Sequence, residues 1–199
     1  VNMYLGITVN YIVGGILSYA FAPVRLPVGE VLTSGWFPIA AVVGAMFMLS
    51  FAVYAVSAQR SGVAITTISG RAAVVIPVVF AFAAFGERVT TVKVAMLLLI
   101  LFAMVLILRR NRTSERSEIK GMSWALLLPV AVFLFNGVND TLVQYAQRAK
   151  IPDTDLYPIF NATMFAAGAV TGLVCYLISC IRRPHRPSVR DFVWGGLLG

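Results

Sequence analysis

Apolar residues run almost unbroken through six stretches of the chain, residues 3–21, 36–58, 63–85, 92–108, 124–145 and 157–178. A helix rises 1.5 Å per residue, so about 20 mostly apolar residues cross a hydrocarbon core of about 30 Å. The pattern therefore predicts six transmembrane helices. The fourth stretch is short for a crossing, and the fifth turns polar in its second half. A seventh run, FVWGGLLG, begins at Phe192 and stops with the chain at Gly199. Stretches such as VAMLLLILFAMVLIL lack the alternation of a membrane β-strand, which sets a closed barrel aside. Polar punctuation separates the runs at APVRLPVGEVLTSG, QRSG, GERVTT, RRNRTSERSEIKG, QRAKIPDTD and RRPHRPSVRD. Mostly short connections make neighbouring helices antiparallel partners in one bundle. The expected fold is an all-α polytopic bundle, six full spans plus the start of a seventh. The first span has no basic leader and no small-residue cleavage site, so it reads as a span rather than a signal peptide.

Composition sharpens this reading. Of 199 residues, 59% are hydrophobic and 12% charged, and the mean hydropathy is +0.86. Soluble domains carry roughly 25% charged residues, so too few polar groups remain to coat a water-facing surface. A soluble enzyme, a disordered segment and a nucleic-acid module are excluded, despite a net charge of +8. The basic residues fall unevenly between the two ends of the spans. Arg60, Arg109, Arg110, Arg112, Arg116, Lys120, Arg182, Arg183, Arg186 and Arg190 share one side. Arg25, Arg88, Lys93, Arg148 and Lys150 share the other. Short basic loops stay in the cytoplasm, which places loop 109–120 there. Anionic lipid headgroups are a natural partner for such charge.

An internal repeat is suggested by TVNYIVGGILSYA in the first span and IFNATMFAAGAVTGL in the sixth. Each sets an asparagine, Asn10 or Asn161, ahead of small residues. The copies start five spans apart, and an odd number of spans inverts direction across the membrane. Inverted repeats of this kind build many transporters. The fifth span then lacks a partner before residue 1, so the chain reads as a fragment of a protein with about ten spans.

Ionisable groups inside a membrane cost about 2.5–3.5 kcal/mol at its centre, and Arg71 and Asp140 are the two set well within spans. Thr67, Gly70 and Arg71 share a helix face by i, i+3, i+4 spacing, a polar stripe able to hold an anionic group. Snorkelling of Arg71 to the nearer interface is the alternative. Asn136, Asn139, Asp140 and Gln144 form one polar face on the fifth span. Such a face lines a cavity, where Asp140 would carry a proton or meet a cationic or hydroxylated solute. Otherwise it bonds neighbouring helices together. Arg71 and Asp140 lie at different depths, so a direct pair between them is not expected. Tyr4, Thr8, Tyr11, Gly15 and Ser18 make an aromatic–polar stripe on the first span. Gly168/Gly172 and Ala40/Gly44 are small-xxx-small packing signals. Pro77 and Pro129 interrupt the third and fifth spans. Cys175 and Cys180, five residues apart on one helix, point away from each other and cannot pair.

The segment GVAITTISGRAAVVIPVVFAFAAFGERVTTVKVAMLLLILFAMVLIL resembles the fourth and fifth spans of the EamA-like branch of the drug/metabolite transporter superfamily. The resemblance is carried by a small-residue helix, the step at Pro77, the pair Gly86–Glu87 and the apolar helix after it. Asn10–Tyr11 in the first span and FNGVNDT in the fifth, with Gly137 and Asp140, are similar to that branch as well. It implies ten helices in two inverted five-helix repeats. Residues 1–110 would be a truncated first repeat, 111–123 a basic inter-repeat loop and 124–199 a truncated second repeat. Members usually keep both termini in the cytoplasm, which would set the basic loop outside. That departs from the charge pattern.

The function expected is secondary transport of a small organic solute by alternating access, in a bacterial-type cytoplasmic membrane. Asn10, Tyr11, Arg71, Asn136, Asn139, Asp140 and Asn161 are the candidates for lining the path. Protons or another ion are candidates for coupling, and no cofactor, metal or nucleic acid is called for. A structural subunit without a cavity is the second possibility. A membrane enzyme acting on lipid-linked groups is the third, though Asp153/Asp155 and His185 fall on opposite sides.

Overall fold

A computed structural model of the chain describes residues 3–86, 90–114 and 122–182. Glu87, loop residues 115–121, His185 and the run from Phe192 lie outside the described residues. Among the described residues eight α-helices follow in order: α1 Met3–Ala20, α2 Val28–Thr33, α3 Phe37–Ser61, α4 Val63–Ala72, α5 Val75–Phe85, α6 Thr91–Ser114, α7 Met122–Ala149 and α8 Tyr157–Arg182. A 3-10 turn, Thr154–Leu156, leads into α8. Every predicted span falls on helix, and no strand occurs among the described residues. Helix is what an apolar solvent permits, because each segment must satisfy its own backbone N–H and C=O groups.

Two departures from the predicted elements have local causes. The stretch 63–85 is broken at Ala73–Val74 into α4 and α5. Pro77 has no N–H for the Ala73 carbonyl, and its ring crowds that oxygen four residues back. Ile76 N–H takes the Ala73 oxygen instead, at 3.0 Å, and Val74 N–H takes Arg71 O at 3.4 Å. The backbone thus tightens to i→i−3 bonding at the break. Pro129, by contrast, is carried inside α7. The second departure is α2, a short helix within the predicted loop 22–35.

A tight turn joins α3 to α4. Gly62 alone separates α3 from α4, at φ 89° and ψ 147°, a conformation closed to side chains with a Cβ. Gly86 ends α5 in the left-handed region, the usual glycine stop.

Helices Phe37–Ser61, Val63–Phe85, Leu127–Ala149 and Thr154–Ile181 are each long and apolar enough to cross a membrane. Between 17% and 28% of their apolar windows is buried within the protein, so most of that surface faces outward. Val42, Leu49, Phe51, Val56, Val170, Leu173, Val174, Leu177 and Ile178 are among the exposed side chains. Water contact costs about 25 cal/mol per Å² of such surface, and lipid removes that cost. The apolar α1, at 18 residues, is shorter.

The chain divides into two compact units, Val1–Leu49 with Leu142–Gly199, and Ser50–Thr141. In the first, α1 packs along α8. Trp36 meets Phe160 edge-on, with centroids 5.9 Å apart. Ala22, Ala40, Val43, Ala146, Ile151, Ile159 and Met164 complete this core, and Leu26 and Val31 pack on it from the α2 linker. Glycines bring α3 and α1 onto α8. A Cβ on Gly44 would run into the Met164 carbonyl oxygen and meet Gly168 N at 2.9 Å, and one on Gly168 would meet the Tyr11 ring at 2.9 Å. The predicted small-residue pairs are thus helix-crossing points. In the second unit α4 packs on α6, and Gly137 of α7 accepts Ile76 of α5 against its bare Cα.

Candidate functional site

Within the second unit, three helices turn polar side chains toward one another. On α3, Ser50, Tyr54 and Ser57 recur at i, i+4 and i+7 and so share a face. Ser57 Oγ and Thr66 Oγ1 lie 2.8 Å apart, and Tyr54 OH and Thr67 Oγ1 also 2.8 Å apart. Thr66 Oγ1 in addition donates to Gly62 O at 2.9 Å. These hydroxyl pairs close the α3–α4 hairpin around Gly62. Bonds between membrane helices contribute about 0.6 kcal/mol each.

α7 completes the cluster. A Cβ on Gly70 would sit 3.0 Å from Asn136 Nδ2, 3.4 Å from the Tyr54 ring and 3.7 Å from Val132, so Gly70 is where α3, α4 and α7 converge. Asn139 Nδ2 donates to Ser50 Oγ at 3.0 Å. The register follows from these contacts. Ser57 is level with Thr66 and Tyr54 with Thr67 and Gly70, so Ser50, one turn further along α3, comes level with the break at Ala73–Val74. On α7, Asn136 meets Gly70 before the break and Gly137 meets Ile76 after it, so the α7 side of the cluster runs past the α4–α5 break.

Asn139 is 0% exposed and Ser69 1% exposed. Asn139 Oδ1 and Ser69 Oγ have no hydrogen-bond partner among the described residues. A buried polar atom left so costs about 1–3 kcal/mol.

The seven predicted lining residues fall into two sets. Asn136, Asn139, Arg71 and Asp140 belong to the second unit. Asn136 is half-buried, Asn139 is buried, and Arg71 and Asp140 are exposed. Arg71 occupies the last turn of α4, directly before the break. On α4 the buried positions are Thr66, Ser69 and Ala72, so Arg71 points away from the buried side. Gln144 of the predicted polar face is half-buried and lies in the first unit. Asn10, Tyr11 and Asn161 also belong to that unit. Asn10 and Asn161 are half-buried. Tyr11 is buried, its ring 5.9 Å from Phe165 and against Gly168. Ser50, Tyr54, Ser57 and Thr66 are site residues outside the predicted set. Their signal was the i, i+4, i+7 spacing of Ser50, Tyr54 and Ser57 inside an apolar run.

Among the described residues, no group of three or more His, Cys, Asp or Glu is placed to hold a metal ion. Cys175 and Cys180 are free thiols.

Fold and site together define an all-helical membrane protein with a buried cluster of uncharged polar groups in one of its units. Compared with protein-family models, curated proteins and solved structures, the chain finds no match in any of the three.

Proposed function

We propose that the chain is part of a secondary transporter for a small organic solute, of the EamA-like kind in the drug/metabolite transporter superfamily. All six long apolar stretches cross the membrane, within a ten-helix protein of two inverted repeats. The solute moves by alternating access.

The observation that carries this reading is the polar cluster of α3, α4 and α7 beside a broken helix. Substrate sites of secondary transporters form at discontinuous helices near the bilayer midplane. The break at Ala73–Val74 is central in the 23-residue stretch Val63–Phe85. Two further features support the reading. Glycine contacts at Gly44, Gly70, Gly137 and Gly168 put few interlocked side chains between helices, which suits sliding. Arg71 and Asp140 carry charge within spans and lie outside the buried cluster, and charged groups at such depth turn to a water-filled path or to a further helix rather than to lipid.

The test is flux through the full-length protein in liposomes. Asp140→Asn and Arg71→Ala should each slow transport by about tenfold or more while expression is retained. That corresponds to the 1.5–3 kcal/mol or so of one hydrogen bond to a charged group. Asp153→Asn, in an exposed connection outside the long helices, is the control and should be neutral. Normal rates in both span variants would remove Arg71 and Asp140 from the path, and absence of flux for every solute tried would remove the transport reading.

A further inference from the structure

The linker between α1 and α3 reads FAPVRLPVGEVLT over residues 21–33, with Arg25 and Glu30 its only charges. Its apolar residues separate into two sets. Ala22, Leu26 and Val31 pack inward on the core of Trp36, Ile151 and Phe160. Phe21, Val24, Val28 and Leu32 point outward, with Phe21 81%, Val28 74% and Leu32 55% exposed. Each residue of a helix advances about 100°, so Val31, Val28 and Leu32 of α2 fill one arc of about that width. Gly29, Thr33 and Glu30 take the opposite arc. The core uses only the Val31 edge of the apolar arc. Val28 and Leu32 are left largely uncovered by the described residues.

The place of the linker in the chain identifies what covers them. Trp36 leads directly into α3, which is long and apolar enough to cross a membrane, so the linker sits where that helix meets the bilayer surface. Phe21 continues α1, its N–H donating to Leu17 O at 3.0 Å. Ile16, Leu17 and Tyr19 are themselves exposed, so the outward set extends the apolar surface of α1. The Arg25 guanidinium lies 6.0 Å from the centre of the Tyr19 ring, and tyrosine is enriched at the level of lipid headgroups. Charge adds no pull toward an anionic surface. The exposed Arg25, Arg148 and Lys150 are matched by the exposed Glu30, Asp153 and Asp155 around the same core. Such a surface binds lipid by burying apolar area in the boundary between headgroups and acyl chains.

We propose that linker 21–33 is an interfacial anchor. Phe21, Val24, Val28 and Leu32 enter the headgroup–acyl boundary of the membrane, and Glu30 faces water. The partner is the lipid surface itself, held through apolar area rather than charge. The anchor is independent of whether the protein carries a solute.

The test is nitroxide accessibility in the full-length protein in lipid nanodiscs, with Cys175→Ser and Cys180→Ser to clear the native thiols. Labels at Val28→Cys and Leu32→Cys should collide severalfold more with oxygen, which concentrates in lipid, than with a nickel chelate confined to water. A label at Glu30→Cys should show the reverse. The pattern should be the same in phosphatidylcholine alone and with phosphatidylglycerol added, at low salt and at high salt. Preference for nickel at Val28 and Leu32 puts their face in water and overturns the proposal. Shielding from both reagents puts protein over the face, a second copy included, and overturns it too. So does oxygen preference at all three positions, or oxygen contact that requires phosphatidylglycerol or is lost at high salt. Oxidative footprinting of the unsubstituted protein needs no label. Hydroxyl radicals should spare Phe21 in nanodiscs although the chain leaves it exposed, and modification of Phe21 overturns the proposal even if the labelled variants fail to fold.

Discussion

Gly44→Ala is expected to lower the unfolding temperature of the full-length protein by about 6 °C or more. The added Cβ would collide with the Met164 carbonyl oxygen, with Ala167 Cβ at 2.8 Å and with Gly168 N at 2.9 Å. Two of these are backbone atoms of α8 and cannot rotate aside, so α3 and α8 must separate. Overpacking costs typically about 1–3 kcal/mol where side chains can adjust, and this site is at or beyond the upper end. One kcal/mol moves Tm by about 2–4 °C in a protein of this size. Separation also loosens the contact of Gly168 with Tyr11, because Gly168 faces both α1 and α3. Gly172→Ala should cost less. Its Cβ meets the Thr8 hydroxyl, which can turn aside at the loss of its bond to Tyr4 O. Gly29→Ala, with nothing within 4 Å, is the control and should melt like the wild type. If Gly44→Ala melts within about 2 °C of the wild type, α3 and α8 do not cross as described.

Asn139→Leu should slow transport by about tenfold or more while leaving a folded, membrane-inserted protein. Leucine keeps the branched outline of asparagine but has neither amide donor nor acceptor. The substitution removes the bond to Ser50, whose measured counterparts in membrane bundles are worth about 0.6 kcal/mol and at most about 1.7. Deleting the unpartnered Oδ1 offsets part of that loss. A stability change of this size leaves expression near normal. Transport should fall by about tenfold or more, the effect of losing a polar contact to solute of about 1.5 kcal/mol. Flux in liposomes, normalised to protein inserted, separates the two roles. Normal flux with a lowered Tm would make Asn139 a tie between helices and nothing more.

The helices were legible from hydropathy because a membrane span is decided almost wholly by local composition and length. The stretch 157–178 became α8, and 36–58 became α3, each extended by a few residues. Pro77 marks an interruption in the sequence, but the break falls at Ala73–Val74, because proline acts on the carbonyl four residues back. The six residues of α2 carry no helical period long enough to set them apart from loop in the sequence; Val31 packs on the Trp36–Phe160 core. The candidate site was legible in part. Asn136 and Asn139 stood out as amides in an apolar setting, whereas Ser50, Tyr54 and Ser57 did not. Serine and threonine can return a hydroxyl bond to their own helix, as Thr163 and Thr171 do, so a hydroxyl in a span signals little until its partner is known. Arg71 and Asp140 drew attention by charge, yet both are exposed, and the buried chemistry around them is uncharged.

The sequence by itself determined the solvent of this protein and the segments that are helical. Both follow from energies of single residues and from hydrogen bonds closed four residues apart. Tertiary structure alone decided which polar groups meet and which glycines touch. Asn139 and Ser50 are 89 positions apart, and Gly44 meets Met164 only where α3 crosses α8. Every apolar face of a span is equally at home in lipid, so hydropathy cannot say which face turns inward. Close fit between backbones, and the cost of a polar group without a partner, make that choice.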